Sequence, residues 1–377
     1  MADESRDESA RVTIIQPAVP HYRLDLFNRL AEHFGARFAV YASPTDMGVL
    51  TARPDAPGWE RLLGKTLRFR TGVEWQRGIL SVPIRRGDTV VVSGAPRGLG
   101  NLGTILRARL LGARVVWWGH YLSPTTRPWR HALRSLLMRG AHGLLFYTDD
   151  EVASYRATAS GRKDRRVVAA LNNGLNLAPI ALHRLPYHAA DRDRTLLFVG
   201  RLTDKAGLDL ALRALARGGE AGVTLHVVGD GAGKDTLLRL ARELGVNGEV
   251  VWHPATTDEA EIADVANRCR MFLYPGDVGL SLVHGMAYGL PAILHEDRSG
   301  HMPEIAAFKA GKTGVTFAPK DVGSLWKAIA DSIDETERLD QMSDAALETV
   351  ANDFNTARMA QRFVEAIGDI NRDCGTS

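Results

Sequence analysis

The chain alternates short apolar runs, rich in β-branched residues, with longer segments of helical periodicity, and this alternation restricts its fold most. Strands and helices in regular succession predict a parallel sheet with helices on both faces. In the first half, strands are predicted at 12–16, 37–41, 89–93, 114–118 and 143–147. In the second half, strands are predicted at 196–199, 224–228, 250–252, 271–274, 292–294 and 314–317. Residues 59–84 are too irregular to assign.

The strands form two series, separated by a loop-rich connection at 172–194. Because 377 residues exceed one ordinary domain of about 150, the sequence predicts two Rossmann-like α/β domains that face a central cleft. The predicted domains are 1–180 and 181–355, with a hinge near 180. A closing helix is predicted over 356–377, and packing against the first domain is one of its possible positions. Ligands of such sheets bind beyond the carboxyl ends of the strands, which makes the cleft the expected site.

Composition excludes several classes of protein. The chain is 45% apolar and 24% charged, as is typical of globular proteins, and its apolar runs are far shorter than the ~20 residues of a membrane-spanning helix. The first ten residues are acidic and polar, which predicts no signal peptide. Neither Cys269 nor Cys374 has a CxxC partner, which excludes a disulfide scaffold and a cysteine zinc site. We therefore expect a cytoplasmic protein.

The net charge of +3 conceals an asymmetry between the two halves. Residues 1–185 carry 27 Lys and Arg against 15 Asp and Glu, a difference of +12. The remaining residues carry 20 against 29, a difference of −9. Different partners for the two halves are one interpretation, and a GC-rich coding sequence that favours arginine is the other.

Three glycine-containing turns follow predicted strands of the second half. Gly279 precedes a predicted helix, whose first N–H groups and dipole favour phosphate. The turn at 200–207 carries Arg201 and Lys205, which can neutralise a pyrophosphate. The run 229–233 resembles a phosphate-binding glycine run, although a tight turn explains it slightly better. Singly, each is explained by an ordinary connection or a solvated loop, but together they predict a pocket for a diphosphate-bearing ligand.

Four motifs of the second half occur in a fixed order. They are FVGRL with Lys205 and GLD (198–209), VVGDG (227–231), VGLSLV with MAYGLP (278–291), and MPE with GKTGV (302–315). In order and spacing these motifs resemble the family 4 glycosyltransferases, which are retaining enzymes of the two-Rossmann GT-B architecture. The first half matches more loosely, through PHYR (20–23), VVWWGH (115–120) and LNNG (171–174). The resemblance implies a nucleotide-sugar donor on the second domain and an acceptor on the first.

The resemblance also implies individual site residues. Arg201 and Lys205 match positions that grip the nucleotide diphosphate, although Lys205 falls one residue early relative to the usual Lys-Gly pair. His120 matches a histidine near the transferred sugar, and with these two cations it forms the predicted catalytic set. The implied donor-binding residues are Gly200, Gly229, Asp277, Gly279, Leu280, Ser281, His284 and Glu304. The turn formed by Gly279, Leu280 and Ser281 matches the one whose amides meet the phosphates.

The sequence departs from the family at a Glu-x7-Glu pair, whose first member contacts the donor sugar and whose second contacts the ribose. Gly276 and His284 occupy these positions. Asp277 is a partial substitute for the first, and an imidazole nitrogen of His284 is able to bond a ribose hydroxyl. Glu304 matches another acidic position near the donor, but a carboxylate at a helix N-terminus explains it equally well.

The implied mechanism uses no metal and no cofactor. Charge that develops on the diphosphate would be stabilised by Arg201, Lys205 and the helix amides, and domain closure would exclude water. Retention in such families is assigned to same-face attack, in which the leaving phosphate accepts the acceptor's proton. The adjacent pair Asp149 and Asp150 is interpreted as a helix N-terminus and not as a metal site.

The first half carries the candidates for acceptor binding. His21, Tyr22 and Arg23 follow the first predicted strand, although a plain helix start explains His21 as well. Anionic lipid headgroups or a lipid-linked pyrophosphate suit a basic surface, and a solvated face is the alternative. The basic residues concerned are Arg61, Lys65, Arg68, Arg70, Arg85, Arg86, Arg127, Arg130, Arg134 and Arg139. No recognition motif supports nucleic acid as a partner.

The sequence thus predicts a retaining glycosyltransferase of the hexosyltransferase type. It would use a UDP- or GDP-sugar and a glycan or lipid-linked acceptor in bacterial surface polysaccharide synthesis. We expect it in the cytoplasm, with peripheral association with the inner membrane face as an option. The alternatives are a nucleotide-sugar epimerase of the same fold and a catalytically inactive nucleotide-sugar-binding protein.

Overall fold

The computed structural model describes residues 10–44, 57–70, 72–94, 98–121 and 128–373. The chain divides into two compact units, which are described separately here. Unit 1 comprises Met1–Asn172 and Thr356–Ser377, and unit 2 comprises Asn173–Asn355. The chain therefore passes between the units twice, at 172–173 and at 355–356.

Unit 1 is built on a parallel sheet of seven strands in the order β3-β2-β1-β6-β7-β8-β9. These strands are β1 (Val12–Ile15), β2 (Phe38–Ala42), β3 (Glu60–Leu62), β6 (Thr89–Ser93), β7 (Arg114–Trp118), β8 (Gly143–Phe146) and β9 (Val167–Ala170). The strands β4 (Thr66–Arg68) and β5 (Glu74–Gln76) form a separate antiparallel hairpin within the stretch that the sequence left unassigned.

Helices cover both faces of this sheet. They are α1 (Leu24–Phe34), α2 (Leu99–Leu110), α3 (Pro128–Arg139), α4 (Asp149–Ala157) and α5 (Ala159–Lys163). Successive residues of β1 belong to different apolar clusters, with Ile14 on one face of the sheet and Ile15 on the other. Both faces are thus buried, which is why the strands are continuous apolar runs.

Unit 2 repeats the architecture with six parallel strands in the order β12-β11-β10-β13-β14-β15. The strands are β10 (Thr195–Val199), β11 (Thr224–Val228), β12 (Val250–His253), β13 (Met271–Tyr274), β14 (Ala292–His295) and β15 (Gly314–Phe317). The helices are α6 (Leu177–His183), α7 (Leu208–Gly218), α8 (Lys234–Glu243), α9 (Glu259–Ala266), α10 (Leu280–Ala287), α11 (Val322–Ser332) and α12 (Thr336–Asn352).

The last helix, α13 (Thr356–Asp373), belongs to unit 1. Its apolar residues Met359, Phe363 and Ile367 are buried in the same cluster as Ile14 and α1. Arg362 on the same helix pairs with Asp149, with 2.9 Å between Nη1 and Oδ1. The core of unit 1 therefore includes residues from both ends of the chain.

The predicted α/β class, with two parallel sheets, is confirmed. The connection predicted to be loop-rich contains α6, and neither β9 nor α9 was predicted from the sequence. Within the part of the chain that the structure describes, no helix is long and apolar enough to cross a membrane.

One residue of the predicted basic surface is placed differently. Arg134 is only 5% exposed and donates a hydrogen bond from Nη1 to the carbonyl oxygen of Tyr121. Burial lowers the pKa of its guanidinium. The prediction that Arg134 belongs to an exposed basic surface is therefore wrong. Arg127 and the side chain of Arg130 lie outside the described residues.

Candidate functional site

The strand order of unit 2 reverses between β10 and β13, where the chain leaves β10 towards β11 and β12 and returns as β13. In open parallel sheets, ligands bind at such a switch point, beyond the carboxyl ends of the strands. The turn after β10 contains Gly200, Arg201 and Lys205, and the turn after β13 contains Gly276 and Asp277. The predicted diphosphate turns are thus at the position where the topology predicts a ligand.

Backbone hydrogen bonds lock these two turns together. The N–H of Gly276 donates to the carbonyl oxygen of Ala206 (3.0 Å), and the N–H of Asp277 donates to that of Lys205 (3.0 Å). A Cβ atom on Gly276 would lie only 2.0 Å from the Lys205 oxygen. Gly207 has a φ of +67°, in the left-handed region that favours glycine. Only a glycine at 276 permits this approach of the two backbones.

The third predicted turn, after β11, is locked to the first. The N–H of Leu202 donates to the carbonyl oxygen of Asp230 (2.9 Å), and the N–H of Gly233 donates to that of Leu202 (2.9 Å). A Cβ atom on Gly229 would lie 2.0 Å from the carbonyl oxygen of Gly200. The three turns therefore form one connected surface. The N–H of Gly233 is used inside that surface, as expected for a tight turn.

The two predicted cations lie on this surface. Arg201 and Lys205 are both exposed, and Lys205 belongs to the short 3-10 helix Asp204–Ala206. The charge of Arg201 acts on Tyr274 at the end of β13, although burial dominates and raises the pKa of the tyrosine. The Tyr274 ring stacks on Phe198, with centroids 4.8 Å apart. Stacked rings beneath the turn thus support the backbone that carries Arg201.

Helix α10 begins directly after Gly279, as predicted. Gly279 has φ −128° and ψ −129°, and the first-turn amides that follow it have no acceptor inside the helix. A Cβ atom on Gly279 would lie 3.2 Å from Met302 Cγ and 3.7 Å from Glu304 Oε2. The structure therefore brings Glu304 to the start of α10, beside the turn formed by Gly279, Leu280 and Ser281.

Glu304 is a buried carboxylate at this turn. It is 5% exposed, and the Nδ2 of Asn173, which is 7% exposed, donates to its Oε1. Asn173 lies in the LNNG motif, but no role was predicted for it. A buried carboxylate needs such a partner, because desolvation of an unpaired charge costs several kcal/mol or more. Asn173 therefore holds Glu304 in place.

Two histidines that sequence reasoning missed lie on the other side of the turn. His301 Nδ1 accepts a hydrogen bond from the N–H of Val278 (3.1 Å), and its Nε2 donates to the carbonyl oxygen of His295 (3.0 Å). These two bonds require the neutral ring. Burial, together with the nearby His295, lowers the pKa of His301 to about 4 despite the hydrogen bond to the His295 carbonyl.

The second histidine connects this ring to Asp277. The His295 and His301 rings stack with centroids 3.8 Å apart, and His295 Nε2 lies 3.5 Å from Asp277 Oδ1. His295 Nδ1 is buried and has no hydrogen-bond partner among the residues that the structure describes. The Asp277 side chain is 42% exposed, so a carboxylate beside the vacant family position faces solvent. The geometry leaves it available to a ligand.

His284, the other departure from the family pattern, belongs to a hydrogen-bonded cluster. Its Nε2 lies 3.0 Å from Glu259 Oε2, and the Tyr288 hydroxyl donates to the same oxygen (2.7 Å). Burial alone would raise the pKa of Glu259, but the hydrogen bonds from His284 and Tyr288 outweigh it and lower that pKa. With Nε2 engaged, a ribose contact by His284 would have to use Nδ1, and this contact stays a prediction.

In unit 1, the predicted catalytic histidine lies at the carboxyl end of β7. His120 Nδ1 is 3.5 Å from Glu151 Oε1, and its ring lies 4.4 Å from that of Tyr147. Glu151 also accepts hydrogen bonds from the N–H groups of Tyr121 (3.0 Å) and Tyr147 (2.9 Å). About a third of the His120 side chain is exposed, so the ring is both held and accessible.

The predicted acceptor residues form a short 3-10 helix, His21–Arg23, after β1. His21 and Tyr22 are exposed, whereas Arg23 is 6% exposed. The Arg23 guanidinium lies 4.7 Å above the Trp118 ring and 5.8 Å from that of Tyr147. Tyr147 thus neighbours both Arg23 and His120. Of the three predicted acceptor residues, only His21 and Tyr22 are accessible to solvent.

A polar pocket marks the switch point of unit 1, between the carboxyl ends of β1 and β6. It encloses about 380 Å³, including space open to solvent. Its polar lining comes from Gln16, Thr66, Glu74, Gln76, Ser93 and Asn101. Gln76 Nε2 donates to the Gln16 carbonyl oxygen (3.0 Å) and to Ser43 Oγ (2.9 Å), which fixes the hairpin over the strand ends. The amides, hydroxyls and carboxylate that line the pocket suit a ligand that carries hydroxyl groups.

Among the described residues, no group of three or more His, Cys, Asp and Glu side chains is arranged to hold a metal ion.

These features define a class of protein: two parallel α/β units, of which the second carries two cations, a glycine turn and a helix start at its switch point. Comparison with known proteins agrees. Residues 183–349 match the family model described as glycosyl transferases group 1. Most of unit 2 is therefore similar to the group 1 glycosyltransferases, and the resemblance predicted from the motifs is confirmed.

Curated relatives support the same family. The chain is 28% identical over 244 residues to a glycogen synthase of Mycobacterium tuberculosis, which covers 61% of this chain and 55% of the relative. It is 31% identical over 197 residues to a D-inositol 3-phosphate glycosyltransferase of Mycobacterium bovis, which covers 48% of this chain and 39% of the relative. The matched part thus spans about half of these relatives or less.

Solved structures match nearly the whole chain. HepE of Anabaena in complex with UDP gives a TM-score of 0.70 at 14% identity, over 95% of this chain and 99% of HepE. A glycosyltransferase from Rickettsia africae gives 0.69 at 13% identity, over 96% and 98%. The lipopolysaccharide outer core galactosyltransferase WaaB gives 0.66 at 16% identity, over 95% and 99%. At these identities the likeness concerns the fold, and the predicted GT-B fold is confirmed.

Proposed function

We propose that this protein is a retaining glycosyltransferase of the hexosyltransferase type, which transfers a sugar from a UDP- or GDP-sugar to a glycan or lipid-linked acceptor. The observation that carries the proposal is the locked pair of turns at the switch point of unit 2, with Arg201 and Lys205 on one turn and the start of α10 after the other. Fixed cations and first-turn amides are the groups that a diphosphate requires.

Charge develops on the diphosphate when the sugar–phosphate bond breaks. Arg201, Lys205 and the amides of Leu280 and Ser281 stabilise this charge, and they do so without reorganisation because the turns are locked by backbone bonds. In this proposal the cations take the place of a metal ion, and no cofactor takes part. The diphosphate oxygen accepts the proton of the acceptor hydroxyl during attack on the same face, so that configuration is retained.

The nature of the donor is supported by a structural neighbour. HepE was solved in complex with UDP and with UDP-glucose, and it shares the fold over 95% of this chain. WaaB, another neighbour, acts in the outer core of lipopolysaccharide. We therefore propose a uridine or guanosine diphosphate sugar as the donor and a role in bacterial surface polysaccharide synthesis. The expected location is the cytoplasm, at the inner membrane face.

The acceptor belongs to unit 1 in this proposal. The polar pocket beside Glu74 and Gln76 lies at the switch point, and His21 and Tyr22 are exposed after β1. A hydroxyl-bearing acceptor suits the pocket, and an anionic lipid carrier suits the positive charge of the unit. His120 is proposed to contact the transferred sugar, and its contact with Glu151 fixes the ring.

A second function, nucleotide-sugar binding without turnover, is kept because of the Glu-x7-Glu positions. A side chain at 276 would collide with the Lys205 carbonyl oxygen, and His284 is engaged by Glu259. If Asp277 and Glu304 do not replace the missing contacts to the sugar, the donor binds but is not activated.

Nucleotide binding tests the proposed site directly. UDP and GDP are titrated into the wild type and into Arg201→Ala, with Arg213→Ala on the exposed face of α7 as the matched control. We expect the Arg201 variant to lose affinity for the better nucleotide about 10- to 100-fold, since a charge-assisted hydrogen bond contributes about 1.5–3 kcal/mol. Unchanged affinity in a folded Arg201 variant contradicts the site.

Turnover then separates the two functions. Incubation with labelled UDP- and GDP-sugars, without acceptor, is expected to give slow hydrolysis of one donor. Measurable nucleotide binding with no hydrolysis or transfer of any donor favours the binding protein. The anomeric configuration of a transferred sugar, followed by NMR, tests retention.

A further inference from the structure

Helix α2 turns a row of leucines outwards. Leu99, Leu102, Leu106 and Leu110 share one face of the helix, and their side chains are 45%, 41%, 60% and 78% exposed. The buried face carries one large apolar residue, Ile105, and otherwise Gly100, Asn101, Thr104 and Ala108. A surface helix of a globular protein normally shows the opposite arrangement, with its large apolar residues inside. Packing among the described residues of unit 1 therefore does not explain the leucines.

The apolar surface continues beyond α2. Leu80 is 41% exposed, and its Cδ2 lies 3.0 Å from where a Cβ atom on Gly103 would be, so it adjoins the helix. The β4–β5 hairpin meets the start of α2 through the bridge between Glu74 and Gly98, and it exposes Phe69 (52%) near its tip. We call the surface of Leu80, Leu99, Leu102, Leu106, Leu110 and Phe69 the leucine face. Single exposed leucines are ordinary, but a contiguous patch marks an interaction site.

The stretches of chain that carry the leucine face are basic. Exposed arginines nearby in the chain are Arg61, Arg68, Arg70, Arg77, Arg85, Arg86 and Arg109. The stretches 57–70, 72–94 and 98–121 contain three carboxylates, of which Glu60 and Asp88 are buried and Glu74 is 15% exposed and pairs with Arg68. The exposed charge of these stretches is therefore almost entirely positive.

We propose that the leucine face docks on an anionic membrane surface, with the leucines at the level of the acyl chains and the arginines at the lipid phosphates. An apolar helix face with a basic border has the chemistry of a helix that lies in the membrane interface. The row from Leu99 to Leu110 is about 16 Å long. All four leucines can therefore enter the membrane together when the helix lies parallel to its surface. Anionic headgroups complement the arginines.

A second copy of this chain fits the face less well. A symmetric dimer would use the same patch on both molecules and would bring two arginine borders together. The inference rests on the proposed function for its purpose, which is to carry the enzyme to a lipid-linked acceptor. The docking itself is measured without donor or acceptor.

Vesicle flotation tests the proposal. The full chain is mixed with vesicles of phosphatidylcholine alone, or with roughly 30% phosphatidylglycerol. We expect binding to the anionic vesicles, and the double variant Leu102→Gln/Leu106→Gln should bind them at least about tenfold more weakly, because two apolar side chains no longer enter the acyl-chain region. Leu182→Gln, at a residue of unit 2 that is 78% exposed, is the matched control and should float like the wild type.

Other arms separate the possible outcomes. Leu110→Gln, at the exposed end of α2, provides a milder variant if the double variant unfolds, and it should weaken binding in the same direction. The proposal is overturned if the wild-type protein does not bind anionic vesicles. It is also overturned if folded leucine variants float with the vesicles as the wild type does. A dimer in sedimentation velocity that the leucine substitutions dissociate while flotation is unchanged overturns it as well.

The proposed function fails by a different measurement. Arg201→Ala is expected to float like the wild type, because Arg201 belongs to unit 2 and not to the leucine face. If the wild type floats but binds no nucleotide, the transferase proposal is wrong and the docking surface remains. If it binds nucleotide but ignores vesicles, the docking proposal alone is wrong.

Discussion

At the residue scale, Gly276 explains how this chain differs from the family that it resembles. Its N–H donates to the Ala206 carbonyl oxygen, and a Cβ atom would lie 2.0 Å from that of Lys205. The position that resembles the family's first glutamate therefore cannot carry a side chain without separating the two turns. The carboxylate of Asp277, one residue later, is the nearest replacement.

Substitution of Gly276 tests how tightly the turns are locked. We expect Gly276→Ala to lower the free energy of unfolding by about 1–3 kcal/mol, as overpacking in an enclosed place does. Gly248→Ala is the matched control, because no atom lies within 4 Å of the added methyl group and its φ is ordinary. Urea unfolding measures both. Equal midpoints for the two variants would show that the turns separate at no cost.

His301 makes the stability of unit 2 depend on pH. Its pKa in the folded protein is about 4, chiefly because burial disfavours the charged ring, against about 6.5 in an unfolded chain. Between pH 6.5 and pH 4 the histidine is protonated in the unfolded chain but stays neutral in the folded protein, and this proton uptake favours unfolding. The contribution of neutral His301 to the stability of the fold is therefore complete above pH 6.5 and is lost as the pH falls from 6.5 to 4.

We accordingly expect a steeper loss of stability in acid for the wild type than for His301→Gln. At about 1.4 kcal/mol per pH unit, the histidine accounts for a loss of up to about 3 kcal/mol across this window. Urea unfolding at pH 7.5, 6 and 5 measures the difference between the two proteins. That difference should be constant above pH 7 and should shrink in acid. A constant difference throughout would mean that folding does not lower the pKa of His301.

At the scale of elements, the first turn of α4 connects two strand ends of unit 1. Thr148 caps the helix, and Glu151 accepts the N–H groups of Tyr121, after β7, and Tyr147, after β8. The same carboxylate lies 3.5 Å from His120 Nδ1. One helix start thus fixes the loops that carry the predicted catalytic histidine.

We expect Glu151→Ala to destabilise the protein by about 2–4 kcal/mol, because two N–H groups lose a charged acceptor. Glu151→Gln keeps one acceptor oxygen and should recover part of the loss. Glu32→Ala, on the exposed side of α1, is the control and should change stability by less than about 0.5 kcal/mol. Thermal unfolding measures all three. A fully stable Glu151→Ala variant would contradict the role of the carboxylate.

Elements with strong periodicity were predictable from the sequence, and short ones were not. The apolar runs of β6 and β7 are fully represented in the predicted strands, because both faces of each strand are buried. β9 follows the basic run at 162–166, which hides its pattern, and α6 contains Pro179 in its first turn. α9 had a signal that was overlooked, since Asp258 caps it and Glu259 and Glu261 follow.

The local motifs of the candidate site were predictable from the sequence, but the contacts between residues far apart in the sequence were not. The turns with Arg201 and Gly279 are local patterns, and the structure joins them as expected. Asn173, His295 and Glu259 reach the site from separate parts of unit 2, and their single residue types carry no spacing that identifies them. Only the packing of the loops shows that Glu304 is paired and that His284 is already engaged.

At the scale of the whole molecule, the charge asymmetry follows the structural units. Unit 1, with the returned α13, carries 29 Lys and Arg against 18 Asp and Glu, a net +11. Unit 2 carries 18 against 26, a net −8. The returned segment 356–377 carries three basic and three acidic residues and leaves the balance unchanged, so the asymmetry belongs to the units themselves. Anions that bind unit 2 must therefore rely on local groups such as Arg201.

The chain order also determines which core each end completes. Phe363 on α13 is fully buried with Trp118 of β7, and their ring centroids are 6.2 Å apart. Unit 1 therefore cannot complete its core until the last helix of the chain is present, whereas unit 2 is one continuous segment. Substitution of a core residue in α13 should consequently change the stability of unit 1.

We expect Phe363→Ala to destabilise unit 1 by about 3–5 kcal/mol, as truncation of a buried aromatic ring does. Hydrogen exchange, read by mass spectrometry, should show faster exchange in peptides of β1, β7 and α1, which share its apolar cluster. Leu339→Ala on α12 is the matched control, since Leu339 is 1% exposed in the core of unit 2. It should accelerate exchange in β10 and α7 instead. Faster exchange of unit 2 peptides in the Phe363 variant, with unit 1 unchanged, would contradict the assignment of α13, because the cavity must weaken the core that it opens.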